Sequence, residues 1–364
     1  MKATVKGVRI AGIVSSVPEM DETSADGSVN TALSSEAEKL SNVIGVKTRR
    51  IADDRFCASD FAVQAAEKLM EQLGWEPESI DLLVFLTQGP DYLLPSTACL
   101  IQNRLGLPTT TAALDICLGC SGYTYGLWTA AQLLAGSEGK RALFLCGDVT
   151  SKTFHSDNTA VRMLFGDAGT ATALERDANA DPMYVVLGSD GSGGRHISIE
   201  NGGARNSWLH AMQDGCVSPE FYANTEFKMN GSEVFTFTLK GIPGLIKEVM
   251  AYAQTSFEDI DYVVFHQANK FILEHLGKKI KIPNDKFIIS MENFGNTSSA
   301  SIPLAICEAL PDKFTKPTKL LLAGFGMGWS WAAIVVEVGP IPQPCIVELP
   351  KNSPTLPLYP VKTA

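Results

Sequence analysis

Pro77-Glu-Ser-Ile-Asp81-Leu-Leu-Val-Phe85 and Ser256-Phe-Glu-Asp-Ile-Asp261-Tyr-Val-Val-Phe265 share one pattern: a polar lead-in, an aspartate, then an unbroken apolar run. Apolar runs without alternation, set between helical segments, indicate strands buried on both faces of a sheet. The likeness continues outward. Gly119-Cys120-Ser121-Gly122 and Gly295-Asn296-Thr297-Ser298 each open an apolar helix, and those helices lead to the apolar strands 142–146 and 320–323. An internal duplication of a βαβ-rich unit is the reading this supports, against a chance likeness of two α/β segments. In such a duplication Cys120 and Asn296 occupy equivalent strand-to-helix turns and can converge across a pseudo-two-fold axis.

Around this repeat the pattern predicts a strand from Val8, closed by Ser15, Ser16 and Pro18, and a Ser-, Thr-, Asp- and Gly-rich loop over 21–35. A helix beginning at Ser59 carries Ala62, Ala65, Ala66, Leu69 and Leu73 at helical spacing and stops at Gly74. Further helices are predicted over 97–105 and 121–135, with a strand ending at Asp115 between them. Residues 188–232 are polar and glycine-rich, as expected of a flap over a site or of an insertion without chemistry. From Gly339 onward, prolines at 340, 342, 344, 350, 354, 357 and 360 prevent a long helix, so the tail should lie extended along the body or a partner.

A chain of 364 residues suits two units of roughly 150 residues each. The expected division is 1–176, carrying the cysteine turn; 177–338, carrying a histidine and an asparagine; and a proline-rich tail, 339–364. No apolar run approaches the ~18 residues of a membrane span, and no secretory signal opens the chain, so a cytoplasmic location is expected. The net charge of −10, without a basic stripe, argues against nucleic-acid binding. The eight cysteines are scattered through apolar runs and read mostly as reduced, buried thiols. Cys117 and Cys120 form a C-x-x-C pair, but no second pair or ligand-spaced histidine accompanies it. No metal site is therefore expected, and Cys117 is assigned to the core of the preceding strand.

Three reactive side chains stand out. Cys120 lies just before a helix, where the positive end of the macrodipole should lower its thiol pKa and backbone N–H groups could hold an oxyanion. His266 ends the apolar run 263–265, beside Gln267 and Asn269. Asn296 gains weight from the repeat. The stretch Ala323-Gly-Phe-Gly-Met-Gly-Trp-Ser-Trp331 leads into an apolar strand and not a helix, which fits a tight turn presenting N–H groups better than a dinucleotide loop.

With Leu94-Pro-Ser-Thr-Ala-Cys-Leu-Ile-Gln102, Phe165-Gly-Asp-Ala-Gly-Thr-Ala171, Gly231-Ser-Glu-Val-Phe235 and Gly295-Asn-Thr-Ser-Ser-Ala-Ser-Ile-Pro303, these motifs fall in one order. The chain resembles β-ketoacyl-[acyl-carrier-protein] synthase III and its thiolase-superfamily relatives from about residue 5 to residue 338. The resemblance implies an α/β, thiolase-like five-layer α-β-α-β-α fold built from two duplicated halves, and a homodimer. It implies acyl transfer to Cys120, then decarboxylative Claisen condensation with a malonyl-type thioester held by His266 and Asn296. The Cys120 N–H and the Gly326–Met327 turn beside Phe325 would form the oxyanion hole. Leu94 would gate the partner's acyl pocket. Lys270, Lys278 and Lys279 would meet an acidic acyl carrier protein, unless they are an ordinary solvated helix face. No cofactor is implied beyond acyl-carrier-protein or acyl-coenzyme A substrates.

The chain also departs from the family. Lys39, Val43 and Thr159 stand about where the family holds the coenzyme A adenine with Trp and Arg, and Met327 replaces a glycine. A carrier-bound donor gains from this. So does the alternative of a thiolase-fold acyltransferase that passes the Cys-bound acyl group to an alcohol or amine without decarboxylation. A thiolase proper would carry a second cysteine in the last glycine-rich turn, and a non-catalytic scaffold would commonly have lost Cys120.

Overall fold

The computed structural model describes residues 1–20, 41–154, 159–213 and 216–355; the loop expected over 21–35, Lys39 and the last residues of the tail lie outside them. Two six-stranded sheets form the frame. The strands of the first half are β2 (Val8–Pro18), β3 (Leu82–Leu86), β4 (Ala112–Ile116), β5 (Arg141–Asp148) and β6 (Ala168–Arg176). Those of the second are β7 (Met183–Ser189), β8 (Tyr262–Phe265), β9 (Phe287–Ile288), β10 (Thr318–Gly326) and β11 (Ser330–Val338). In space both halves run first, fifth, fourth, second, third: β2-β6-β5-β3-β4 and β7-β11-β10-β8-β9. Strand directions agree as well, with the last three strands of each row parallel and the other two pairings antiparallel. The duplication read from the repeat is thus present strand for strand.

The matched aspartates show why the repeat has an acid at that place. The Asp81 N–H donates to the Arg141 carbonyl, and its carboxylate accepts from the N–H of Lys140 at 2.6 Å. In the other half the Asp261 N–H donates to the Lys319 carbonyl, and its carboxylate accepts from the Lys319 N–H at 2.7 Å. Each aspartate pins the start of the second strand to the start of the fourth.

Helices fill three layers around the two sheets, making five in all. Between the sheets lie α3 (Gly122–Ala135) and α6 (Ser301–Ala309), whose Leu127, Ala131, Ile302 and Ile306 meet Phe144 and Leu322 in one core. The α3 sequence, Gly-Tyr-Thr-Tyr-Gly-Leu-Trp-Thr-Ala-Ala-Gln-Leu-Leu-Ala, has no charged residue, as a helix enclosed by sheets requires. Outside the first sheet pack α1 (Ala58–Leu73) and α2 (Thr97–Arg104); α4 (Gly231–Tyr252) and α5 (Lys270–Ile280) cover the second. The α1 stop falls where the sequence places it, at Gly74 in the left-handed region with φ 60°. Asp115, at the end of β4, accepts from the Thr97 and Ala98 N–H groups and so completes the α2 N-terminus.

The chain ends cross over. β1 (Lys2–Val5) joins the second sheet antiparallel to β7, and β12 (Cys345–Leu349) joins the first sheet parallel to β2. The described part of the tail therefore lies along the body, with Glu348 paired to Arg50 at 2.8 Å. Two readings of the cysteines need correction. All eight are free, but only Cys146 and Cys307 are fully buried. Cys117 is exposed beyond the end of β4 and is not part of its core, because β4 is an edge strand with no neighbour on its outer side among the described residues.

Because both acids do the same work on exposed sheet ends, Asp81→Ala and Asp261→Ala should each lower unfolding free energy by about 1 kcal/mol. The double variant should show their sum, as checked by urea denaturation, since the two sites share no partner.

Candidate active site

Cys120 sits in the turn between β4 and α3. The Gly122 N–H donates to the Gly119 carbonyl at 2.6 Å, which closes the turn tightly. Ser121 Oγ lies 2.7 Å from Ser330 Oγ, and Ser330 Oγ donates to the Met327 carbonyl at 2.6 Å. The cysteine turn of the first half is thereby bonded to the glycine-rich turn of the second. Gly326, at φ 152°, passes so close that a Cβ there would lie 2.6 Å from Cys120 Cβ. Only glycine permits that approach. The approach brings the Met327 N–H onto the Cys120 sulfur, where it acts alongside Cys120's own N–H.

The expected fall in the Cys120 pKa is not what the site imposes. Burial pushes the thiol up to about 11, and the hydrogen bonds from Met327 and Cys120 N–H only partly oppose it. Desolvation outweighs the helix end because α3 begins two residues later and the sulfur faces an enclosed pocket. The resting group is a thiol.

His266 follows β8, and its N–H donates to the Ala323 carbonyl at 2.8 Å, extending the β8–β10 ladder by one rung. The side chain is 1% exposed. Its Nδ1 lies 2.7 Å from Ser301 Oγ at the start of α6, and the Phe325 ring stands edge-on to the imidazole. Burial lowers its pKa to about 4, while a hydrogen bond with the Ser298 backbone acts in the opposite direction. The imidazole is neutral at neutral pH. Of its polar neighbours, Gln267 ties strand ends, accepting from the Ser290 N–H, and Asn269 caps α5 by accepting from the Ile272 N–H.

Asn296 is held by the other half of the chain. Its N–H donates to the Leu164 carbonyl at 2.8 Å, and its carbonyl accepts from the Gly166 N–H at 3.1 Å. Its side-chain Oδ1 accepts from the Ser298 N–H, and Nδ2 donates to the Ala268 carbonyl at 3.2 Å. That fixes the amide with one Nδ2 hydrogen still uncommitted. Cys120, His266, Asn296, Phe325, Gly326 and Met327 all line one pocket of about 670 Å³. Its remaining walls are mainly apolar, among them Ile197, Phe227 and Met229 from the glycine-rich stretch 188–232. That stretch shapes the site.

The other singled-out residues lie outside this pocket. Leu94 is 86% exposed, and Lys270, Lys278 and Lys279 are exposed along α5. Val43 is exposed too, and Thr159 opens a short helix, Thr159–Leu164.

Sequence reading missed Asp148, Gln88 and Ser301. Asp148 ends β5 fully buried and accepts from the hydroxyls of Thr87 and Ser299 and from the N–H groups of Gln88 and Ser299. Desolvation raises its pKa, outweighing the bonds from Gln88 and Ser299 that act in the opposite direction. Both Asp148 and Gln88 obey the strand-end rule that singled out His266, so their signal was present. Ser301 gave none. A second pocket, of about 660 Å³, shares Gln88, Thr150, Phe227 and Met327 with the first and continues to Cys117, Val149 and Ile199.

Two equivalent α/β halves, with helices between and outside their sheets, define the thiolase fold, and the solved structures agree. A 3-oxoacyl-(acyl-carrier protein) synthase from Burkholderia xenovorans LB400 superposes with a TM-score of 0.88 at 37% identity, covering 96% of this chain and 99% of that one. Residues 114–191 match the profile of 3-oxoacyl-[acyl-carrier-protein] synthase III, and residues 250–338 match its C-terminal profile. A putative 3-oxoacyl-[acyl-carrier-protein] synthase 3 of Campylobacter jejuni is 33% identical over 93% of this chain and 96% of its own length. The β-ketoacyl-[acyl-carrier-protein] synthase III of Clostridium acetobutylicum is 33% identical over 92% of this chain and 99% of its own length. The chain belongs to the 3-oxoacyl-[acyl-carrier-protein] synthase III family.

His266 titrates near 4 folded against 6.5 unfolded, so between these values the unfolded chain binds the extra proton and stability falls as pH falls. The loss should approach about 3 kcal/mol by pH 4. Denaturant unfolding of wild type and His266→Gln across this range should show the variant's stability declining less steeply by that amount.

Proposed function

We propose that this protein condenses an acyl group carried on Cys120 with a malonyl-type thioester, releasing carbon dioxide. The observation that carries the reading is the convergence of Cys120, His266, Asn296 and the Met327 N–H on one pocket. The names of the relatives make an acyl carrier protein the partner to expect.

In the first half-reaction Cys120 Sγ attacks a thioester carbonyl, and the departing thiolate takes up the cysteine proton. The Cys120 and Met327 N–H groups receive the oxyanion; such donors are worth about 3 kcal/mol each in the transition state. Because the resting thiol is protonated, the proton has to leave as the carbon–sulfur bond forms. In the second half-reaction a malonyl-type thioester loses carbon dioxide and its carbonyl oxygen becomes an enolate oxygen. The free Nδ2 hydrogen of Asn296 is one donor to it. The other is His266 Nε2–H, in the tautomer where Ser301 O–H donates to Nδ1 while Ser301 Oγ accepts the Gln267 N–H. A neutral imidazole suits this role, since it donates without adding charge. The enolate carbon attacks the acyl carbonyl, the carbon–sulfur bond to Cys120 breaks, and the released thiolate takes up a proton from solvent to restore the resting thiol.

The exposed β4 edge, with Tyr92, Leu93 and Leu94 exposed nearby, supports a homodimer in which Leu94 reaches the neighbouring acyl site. Lys278 and Lys279 are exposed and form no ion pair among the described residues, which suits docking of an acidic carrier. A cytoplasmic location with no resident cofactor completes the proposal.

Carbon dioxide release from malonyl-carrier protein should survive Cys120→Ala and fall about a hundredfold in His266→Ala. No decarboxylation with any malonyl donor would end the proposal, and an ester or amide product formed without carbon dioxide would establish transfer to an alcohol or amine instead. Reversing Lys278 and Lys279 to glutamate should raise KM for a carrier-bound donor about tenfold at low salt, shrinking as salt screens the contact. A small pantetheine thioester should be unaffected; equal losses with both donors would remove these lysines from docking.

A further inference from the structure

The two pockets share walls immediately beside the nucleophile, and Gln88 and Met327 belong to both. Gln88 Nε2 lies 2.8 Å from Met327 Sδ, so the two side chains meet across the space between the pockets. Gln88 is also laid against the cysteine turn, because a Cβ on Gly119 would fall 2.1 Å from its Oε1. Both side chains are long and unbranched, Gln88 is exposed and Met327 half-buried, so they can part without disturbing the core. Their backbones, by contrast, are fixed. The Gln88 N–H is bonded to the buried Asp148 carboxylate, and the Met327 carbonyl accepts from Ser330.

Resting on the proposal that Cys120 carries the acyl group, we infer that Gln88 and Met327 form a gate that decides how long an acyl chain Cys120 accepts. Closed, the pair leaves room for a short acyl group in the first pocket. Parted, it admits an aliphatic chain into the second pocket, whose walls include Val149, Ile199 and Phe227. Each methylene that moves from water into such a lining favours binding roughly fourfold, which is the selectivity the gate controls. Gln88 and Met327 are specificity-determining residues in this assignment, and Met327 contributes its side chain here in addition to its N–H.

The test compares full-length wild type, Gln88→Ala, Met327→Ala and the bulk-preserving Gln88→Leu. Acylation of Cys120 is read by intact-protein mass spectrometry after exposure to thioesters from acetyl to decanoyl. In parallel, the alkylation rate of Cys120 is measured with N-alkyl iodoacetamides of the same chain lengths. Both alanine variants should gain roughly fourfold per added methylene relative to wild type in the longer members, while Gln88→Leu keeps the wild-type profile. Wild-type acylation with unchanged length profiles in all variants would overturn the gate. So would alkylation rates that show no dependence on the pair. If no thioester acylates the wild type, yet the alanine variants still extend alkylation to longer chains, the gate stands and the acyl-carrier reading of Cys120 falls.

Discussion

The buried carboxyl group of Asp148 holds the two halves of this protein in register at the site. Its oxygens are met by hydrogen-bond donors: Thr87 and Gln88 from the end of β3, and Ser299 from the turn that follows Asn296. Burying a polar group is expensive unless its lone pairs are filled, so the donors cannot drift independently. The Cys120 side of the pocket and the Asn296 side are thus fixed to one buried carboxyl group. Negative charge on that group disfavours a thiolate at Cys120. A rigid, low-dielectric site of this kind favours the thiol form of Cys120, and each N–H group in it counts for more than it would in water.

The duplication gives a symmetric frame to an asymmetric site. Equivalent strand-to-helix turns carry a thiol in one half and a carboxamide in the other, and each is fastened by the opposite half. Cys120 is pressed by the Gly326 turn, and Asn296 is bonded through its backbone to Leu164 and Gly166. Neither half on its own could hold its functional residue in place. This explains why the aspartates that pin strand to strand, Asp81 and Asp261, recur in both, while the residues at the turns differ.

Much of this was legible in the sequence because it follows from local rules. Apolar runs without alternation gave the buried strands, Gly74 gave the α1 stop, and polar residues at strand ends gave Cys120, His266 and Asn296. The rest depended on tertiary context. Whether Cys117 is core or surface depends on whether β4 is an edge, which periodicity does not encode. The direction of the Cys120 pKa depends on the balance between a helix end and an enclosed pocket, and desolvation in the pocket, invisible in the chain, is the largest influence. Ser301 looks like any helix-opening serine until the fold sets its hydroxyl 2.7 Å from His266.

The crossed outer strands bear on how the protein folds. β2 acquires its outer neighbour only from Cys345–Leu349, and β7 acquires its own from Lys2–Val5. During synthesis β1 must wait for the middle of the chain, and the first sheet keeps an open edge at β2 until Cys345–Leu349 is made. Pairings of such sequence separation are slow to close and leave an unpaired strand edge exposed meanwhile. Each sheet is thus closed by a segment remote in sequence, and until that segment docks its edge stays open to wrong partners.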